Sequence, residues 1–226
     1  MYLDDTIAAI ATPLQPSGLG VIRVSGKQAV SIVEHLFKSS TEKLEKKGSN
    51  KLYHGWIHDY EKLVDRVVVI IMRSPRSYTT EDVVEIQCHG SPFVMCKILD
   101  LLLHHGARLA DSGEFTQRAF LHGRIDLTQA EAVLDLVHAN SELGSALAVQ
   151  QLQGKLYNAI EDVKKQVVNI SSLVEASIEF PEEDVEFVNF DQCIQQIKQA
   201  SSDLEKMLVH ANHGLRFREG FSVALI

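Results

Sequence analysis

The sequence predicts an α+β protein, in which an N-terminal mixed α/β domain precedes an incomplete α-helical bundle domain. Short β-branched runs alternate with helical patterns as far as about residue 105. Beyond about residue 141 the apolar residues recur three and four apart, which is typical of long helices. We place the first domain at residues 1–118 and the helical domain at 119–219.

Composition limits the class of protein and its cellular compartment. The chain has 226 residues, of which 45% are hydrophobic and 23% charged, as expected of a soluble globular protein. Its formal net charge of -8 gives no overall attraction to nucleic acid, so autonomous RNA binding is disfavoured. A local basic patch is nevertheless compatible with this net charge. Three scattered cysteines provide neither a disulfide framework nor a zinc-site spacing. With no apolar run of transmembrane length, we expect a cytoplasmic protein.

The first half contains the elements of a sheet with helices. Strands are predicted at residues 6–11, 21–26, 52–58, 64–72 and 83–88, and helices at 27–37 and 91–105. Residues 16–20 are predicted to form a turn, and the lysine-rich stretch 39–51 a mobile loop. The first turn is not predicted to be a nucleotide-binding loop, because its glycines precede the strand and no Lys-Ser/Thr pair follows them.

Two charged residues interrupt these strands. Arg23 lies within a β-branched run, and Glu85 lies between Val84 and Ile86. Strand alternation is compatible with a solvent-facing position for each side chain. Alternatively they face a polar pocket, where the two oxygens of Glu85 accept paired N–H donors from a heterocycle such as a 2-amino-4-oxo pterin. These residues alone leave both alternatives open.

Residues 112–140 predict a short helix, a basic corner and a second helix. Gly123 suits a left-handed helix end, and Thr128 with Glu131 fits a capping box for the second helix. Between them, Arg124 lies in a corner held by packed neighbours, a position that can present a cation to an anionic or polar ligand. A solvated arginine in a helical elbow is the interpretation that these residues alone favour.

The second half is predicted to be helical throughout. A heptad seam from Val149 to Val174 indicates one long helix, beginning near Ser141 and ending before Pro181. Two long helices cannot close a bundle by themselves, so we expect this domain to need another segment or subunit.

Three further predictions concern the end of the chain. Apolar residues between positions 194 and 208 indicate a second long helix that ends near Gly214. The acidic stretch 180–187 lacks the residue order of a calcium loop and is predicted to be a solvated turn. The last six residues, 221–226, form a strand-like run, which we expect to begin a third domain rather than to be a terminal edge strand.

Several long motifs then match a known family in the correct order. They are ATPLQPSGLGVIRVSG (11–26), SYTTEDVVEIQCHG (77–90), GEFTQRAFLHGRIDLTQAEAVLDL (113–136), LVEASIEFPEEDVEF (173–187) and LRFREG (215–220). Together they resemble the MnmE (TrmE) family of tRNA modification GTPases. In that family the stretch corresponding to residues 220–226 is the first strand of a Ras-like G domain.

The resemblance implies a fold and a function. The first domain is expected to dimerise and to bind a tetrahydrofolate derivative (5-formyl or 5,10-methylene) in a fold similar to folate-binding aminomethyltransferases. Family members work with the flavin- and NADH-using protein MnmG (GidA) in a heterotetramer-type complex. They install an aminomethyl or carboxymethylaminomethyl group at C5 of the wobble uridine of tRNA. GTP hydrolysis, with Mg²⁺ and K⁺, drives pairing of their G domains.

The resemblance also assigns residues on this sequence. The folate-contacting positions are Arg23, Glu85 and Arg124, the last of which is often lysine in the family. No catalytic or metal-binding residue is assigned. Because the GTPase motifs lie outside this sequence, the resemblance implies GTP hydrolysis for the full-length parent and leaves the activity of this segment alone open. The alternatives are a stand-alone folate-dependent one-carbon enzyme or regulator without GTPase activity, and a helical scaffold for dimerisation.

Overall fold

The computed structural model of the chain describes residues 5–39, 44, 48–179 and 190–219. The chain divides into two compact units, residues 1–125 and 126–226. The boundary expected from the sequence, between residues 118 and 119, falls inside the helix Glu114–Leu121.

A mixed sheet forms the first unit. Its seven strands, counted over the described residues, run in the order β3-β4-β5-β6-β2-β1-β7. All neighbours are antiparallel except β1 and β7, which are parallel. The strands are β1 (Ile7–Ile10), β2 (Ser17–Ser25), β3 (Phe37–Lys38), β4 (Lys51–Asp59), β5 (Lys62–Met72), β6 (Val83–Gly90) and β7 (Arg108–Leu109).

Helices α1 (Ala29–Leu36) and α2 (Pro92–His104) pack on one face of this sheet. Alternate strand residues such as Ile22, Val69 and Ile86 point into the core between them and are fully buried. Burial of each such side chain contributes about 1.5–3 kcal/mol. Because strand side chains alternate, the intervening residues belong to the opposite face, which neither α1 nor α2 covers. We call this the outer face.

The predicted α+β fold is confirmed, and most strands and helices of the first half lie where the sequence placed them. The predicted turn at residues 16–20 is wrong, because β2 already begins at Ser17. A side chain at Gly20 would overlap Met95 of α2, so glycine there lets the strand pass close beneath the helix. The two-residue strands β3 and β7 are too short to show alternation in the sequence.

One further helix, α3 (Glu114–Leu121), completes the first unit. Gly123 follows it in the left-handed region at φ 70°, as predicted. The predicted loop at residues 39–51 lies largely outside the described residues, and its last residue, Lys51, begins β4.

The second unit consists of helices α4 (Leu127–Val137), α5 (Glu142–Leu152), α6 (Lys155–Glu179) and α7 (Phe190–Glu219) within the described residues. The prediction of one long helix from residue 141 is wrong: Gly154 adopts φ 79° and separates α5 from α6. The predicted end of the last helix near Gly214 is also wrong, since α7 continues to Glu219. The predicted acidic turn (180–187) and terminal strand (221–226) lie outside the described residues.

The capping box of α4 differs from the predicted one. Asp126, rather than Thr128, caps the helix: its carboxylate accepts a hydrogen bond from the Gln129 backbone N–H at 3.0 Å, and the Gln129 side chain accepts from the Asp126 N–H at 3.0 Å. The Thr128 hydroxyl donates a hydrogen bond to the same carboxylate at 2.6 Å. Asp126 precedes the first turn and its carboxylate therefore reaches the free N–H groups directly, whereas Thr128 already lies inside the helix.

None of the helices in the described part of the chain has both the length and the apolar composition of a membrane-spanning segment.

Candidate functional site

The two charged strand residues singled out by sequence form one ion pair. Arg23 on β2 is directly opposite Glu85 on β6. The Arg23 Nε donates to Glu85 Oε1 at 2.8 Å, and Arg23 Nη2 lies 2.7 Å from the same oxygen. Both side chains belong to the outer face and are partly exposed, 31% for Arg23 and 20% for Glu85. The pair is therefore reachable from solvent.

The geometry leaves much of the pair's hydrogen-bonding capacity unused. A guanidinium has five N–H donors and a carboxylate two acceptor oxygens. Here the contacts of Arg23 converge on Oε1, and no other described residue donates to Glu85 Oε2. The pair thus presents donors and an acceptor side by side. Such an arrangement suits a ligand edge that carries N–H groups next to a carbonyl or carboxylate.

Two aromatic rings flank the Arg23 guanidinium. The centroid of the Tyr78 ring lies 5.8 Å from the guanidinium carbon, and that of the Phe115 ring 5.6 Å. Both distances are within the range of cation–π interactions. Tyr78 belongs to the loop 73–82, and Phe115 to the first turn of α3. The loop and the helix therefore both contribute to this site.

Three contacts join that loop to α3 along its length. Near the helix start, the hydroxyls of Tyr78 and Thr116 are 2.9 Å apart. At the helix end, His122 Nδ1 donates to the carbonyl oxygen of Thr79 at 2.7 Å. Between them, Arg118 Nη1 donates to Glu81 Oε1 at 3.0 Å. These contacts fix the positions of both aromatic rings relative to the sheet.

Arg118 is the buried centre of an ion cluster that the sequence did not reveal. It is 2% exposed and bonds to Asp5, Glu81 and Glu114. Arg108 bonds to two of the same carboxylates, with its Nε 2.6 Å from Asp5 and its Nη2 2.5 Å from Glu114. We call Asp5, Glu81, Arg108, Glu114 and Arg118 the Arg118 cluster. The only local signal for it in the sequence is the Glu114–Arg118 spacing of four residues in a helix.

The cluster favours the ionised form of two of its carboxylates, those of Asp5 and Glu114. Desolvation opposes ionisation of Asp5, but hydrogen bonds from Arg108 and Arg118 outweigh it and keep the pKa of Asp5 below its usual range. For Glu114, likewise, desolvation is outweighed by hydrogen bonds from Arg108 and the Asp111 backbone, so that its pKa is also lowered.

Arg124, the third residue assigned by the resemblance, lies in the turn after α3 and is exposed. Its backbone N–H donates to the Ala119 carbonyl at 2.9 Å. Its guanidinium has no hydrogen-bond or ion-pair partner among the described residues. The structure thus brings Arg23 and Glu85 together and leaves Arg124 without contact to them.

Among the described residues, neither the Cys88 thiol nor a group of possible metal ligands provides a second reactive site. Burial, and to a lesser extent the Asp65 carboxylate, raise the pKa of the Cys88 thiol to about 11, so it stays protonated and unreactive at neutral pH. Within residues 5–39, 44, 48–179 and 190–219, no three His, Cys, Asp or Glu side chains are grouped as a metal site would require.

Comparison with known proteins gives two matching family profiles. Residues 6–124 match the profile described as "GTP-binding protein TrmE N-terminus", and residues 127–222 match "MnmE helical domain". The first match includes all three residues of the candidate site.

Curated relatives named "tRNA modification GTPase MnmE" match along the chain. The protein of Alkaliphilus oremlandii is 43% identical over 229 residues, which cover 100% of this chain and 50% of the relative. Those of Clostridioides difficile and Geotalea uraniireducens are 41% and 44% identical over 227 residues, again covering 100% of this chain and 50% of the relative. The chain therefore spans about half the length of the curated relatives it matches.

Proposed function

The chain belongs to the TrmE (MnmE) family, and we propose that it binds a tetrahydrofolate derivative through Arg23, Glu85 and Arg124. The observation that carries this proposal is the ion pair of Arg23 and Glu85 on the outer face of the sheet. It is partly exposed, incompletely hydrogen-bonded, and located in the segment that matches the TrmE N-terminal profile.

The chemistry of the pair fits a reduced folate. The 2-amino-4-oxo edge of the ring system presents two N–H groups beside a carbonyl oxygen. The Glu85 carboxylate accepts the N–H groups, and the remaining N–H donors of Arg23 bind the ring carbonyl or the glutamate tail. Arg124 is exposed and has no partner among the described residues, so it is available to a carboxylate of the tail. In this role the segment carries the one-carbon unit, either as 5-formyl- or as 5,10-methylene-tetrahydrofolate.

We also propose that the first unit forms a homodimer. The outer face carries exposed apolar side chains on β4: Leu52 is 53% and Trp56 42% exposed. Leu52 is opposite Ile70, which in turn is opposite Glu85, so these residues form one row across the sheet. A second copy packed on this face would bury the apolar residues next to the folate site.

For the parent protein we propose the activity of the family. It hydrolyses GTP in a G domain that requires Mg²⁺ and K⁺, and it works with the flavoprotein MnmG in the cytoplasm. Together they modify C5 of the wobble uridine of tRNA with an aminomethyl or carboxymethylaminomethyl group. The names of the relatives, tRNA modification GTPase, support this proposal.

Calorimetric titration with 5-formyl-tetrahydrofolate tests the folate site. It is carried out on this chain and on the full-length parent, each as wild type, Glu85→Ala and Glu61→Ala. Glu61 is an exposed carboxylate in the β4–β5 turn and serves as the matched control. We expect saturable binding that weakens at least about tenfold in Glu85→Ala, because a charge-assisted hydrogen bond is worth about 1.5–3 kcal/mol. Unchanged affinity in Glu85→Ala, or no binding by either wild-type protein, would overturn the proposal.

Sedimentation velocity tests the proposed homodimer. We expect the wild-type protein to sediment as a dimer and Leu52→Glu as a monomer, because the introduced carboxylate would be buried in the interface without a partner. Leu63→Glu, which alters another exposed leucine (59% exposed) near the β4–β5 turn, serves as the control and is expected to remain dimeric. A dimer that persists unchanged in Leu52→Glu would contradict an interface on the outer face.

A further inference from the structure

Tyr78 and Phe115 both lie close to the same charged side chain. Both are only partly buried. Neither belongs to the hydrophobic core cluster or packs against it as Tyr53 does. Their shared neighbour is instead the guanidinium of Arg23, at 5.8 and 5.6 Å.

Polar contacts, rather than the apolar core, hold these rings in place. The Tyr78 hydroxyl contacts the Thr116 hydroxyl at 2.9 Å. Phe115 lies between Glu114 and Thr116 in the first turn of α3, and the Arg118 cluster anchors that turn through Glu114. Buried charges anchored in this way cost free energy to desolvate. Charged and hydrogen-bonded groups, which cost free energy to desolvate, therefore hold the two rings beside the partly exposed guanidinium of Arg23.

The rings also restrict the freedom of Arg23. Glu85 fixes one edge of the guanidinium, and the two rings lie within cation–π distance of its central carbon. A mobile surface arginine binds many different carboxylates and phosphates, because its flexible side chain can bring the guanidinium to anions in many orientations. A guanidinium that is bonded to Glu85 and lies beside two aromatic rings has lost much of this freedom. Flat π-systems, in contrast, gain from stacking on guanidinium planes and aromatic rings.

We propose that Tyr78 and Phe115 are ring-recognition residues, which make the Arg23–Glu85 site select a flat, conjugated heterocycle over a flexible anion of similar charge. This inference rests on the proposed folate-binding function and extends it. The pyrimidinone half of the folate ring system lies against Tyr78, Phe115 and the guanidinium, while its polar edge bonds to Glu85. Neither aromatic residue was singled out by the sequence.

Ligand affinities measured by titration of the full-length protein test the proposal. The probes are 5-formyl-tetrahydrofolate, the ring alone as pterin-6-carboxylate, and the ring-free dianion glutarate. The variants Tyr78→Leu and Phe115→Leu remove one ring each, and Tyr60→Leu, at a tyrosine that is 93% exposed elsewhere in the unit, is the control. We expect each ring removal to weaken binding of both ring-containing probes about fivefold or more, and that of glutarate less than twofold. The control is expected to leave all three affinities unchanged.

Two further measurements keep the test independent of folding defects. Tyr78→Phe keeps the ring and removes only the hydroxyl, so its ring affinity is expected to stay within about twofold of the wild type. In the wild type itself, intermolecular NOEs are expected between the ligand's ring-system protons and those of Tyr78 and Phe115.

The outcomes separate this inference from the proposed function. Ring probes that bind through Glu85 but are indifferent to Tyr78→Leu and Phe115→Leu would overturn the ring-recognition role and leave folate binding intact. Equal losses for glutarate and for the ring probes would likewise overturn it, because the rings would then only support the arginine. Absence of any folate binding by the wild type would refute both.

Discussion

The first unit contains two arginine–carboxylate groups that differ in the exposure of the arginine and in the number of its carboxylate partners. In the Arg118 cluster the arginine is 2% exposed and is bonded to three carboxylate residues. In the Arg23–Glu85 pair the side chains are 31% and 20% exposed, and their contacts converge on a single oxygen. The cluster uses its hydrogen bonds within the fold, whereas the pair leaves donors and an acceptor oxygen unused, as the proposed ligand site requires. The burial of the arginine and the number of its carboxylate partners, rather than charge, distinguish the two groups.

The largest expected effect comes from removing the cation of the cluster. In Arg118→Met, the Asp5, Glu81 and Glu114 carboxylates lose a shared partner in a buried environment. We expect the free energy of unfolding, measured by urea denaturation, to fall by about 3–5 kcal/mol. Lys62→Met, at an exposed position on β5, is the control and should change it by less than about 0.5 kcal/mol. A loss below about 1 kcal/mol in Arg118→Met would mean that the cluster does not stabilise the fold.

The next effect is the acid sensitivity of the same cluster. The pKa values of Asp5 and Glu114 are lowered in the folded state. The two carboxylates therefore contribute fully to the free energy of unfolding above their pKa values in the unfolded chain, about 3.9 and 4.3. This contribution is lost as the pH falls through their lower pKa values in the folded protein. The free energy of unfolding should therefore decrease from about pH 5 downwards. Urea denaturation at a series of pH values is expected to show a shallower decrease in Glu114→Gln. If the free energy of unfolding of Glu114→Gln depends on pH as that of the wild type does, Glu114 is not a source of the acid sensitivity.

A smaller effect on stability is expected at the partly exposed pair. Arg23→Met should lower the free energy of unfolding by less than about 1 kcal/mol, as is usual for solvent-accessible ion pairs. The same variant should weaken binding of 5-formyl-tetrahydrofolate at least about tenfold, since the ligand loses a charged donor. A variant that is strongly destabilised but still binds would place the pair with the cluster as a structural group.

The smallest structural effect is expected at Arg124. Because this residue is exposed and makes no side-chain contact within the described residues, Arg124→Ala should change the free energy of unfolding by less than about 0.5 kcal/mol. If Arg124 binds the ligand's tail, folate affinity falls in Arg124→Ala and is largely restored in Arg124→Lys, which keeps the charge. Calorimetry that finds equal affinity in all three proteins would remove Arg124 from the site.

The sequence predicted those features that depend on local pattern. A charge within a β-branched run drew attention to Arg23 and Glu85, and Gly123 marked the end of α3. It did not predict that the two charges meet, because their pairing depends on β2 lying beside β6 in the sheet. The Arg118 cluster could not be predicted for the same reason: it joins Asp5 to Arg108 and Arg118, more than one hundred positions later, and its only local signal is the Glu114–Arg118 spacing.

Competing local signals explain two of the three errors in the helical unit. The heptad seam continues past Gly154 without a break in the apolar spacing, although the left-handed conformation of this glycine separates α5 from α6. At the start of α4, Asp126 and Thr128 are both good capping residues. Only the observed hydrogen bonds identify Asp126 as the one that caps the helix.

Whether the Arg23–Glu85 pair serves a ligand is decided by measuring ligand affinity and stability together on Glu85→Gln in the full-length protein. This substitution keeps the shape of the side chain and removes its charge. We expect calorimetric binding of 5-formyl-tetrahydrofolate to weaken at least about tenfold while the free energy of unfolding changes by less than about 1 kcal/mol. Retained binding with a large loss of stability would contradict this expectation, and would show that the Arg23–Glu85 pair serves the fold rather than a ligand.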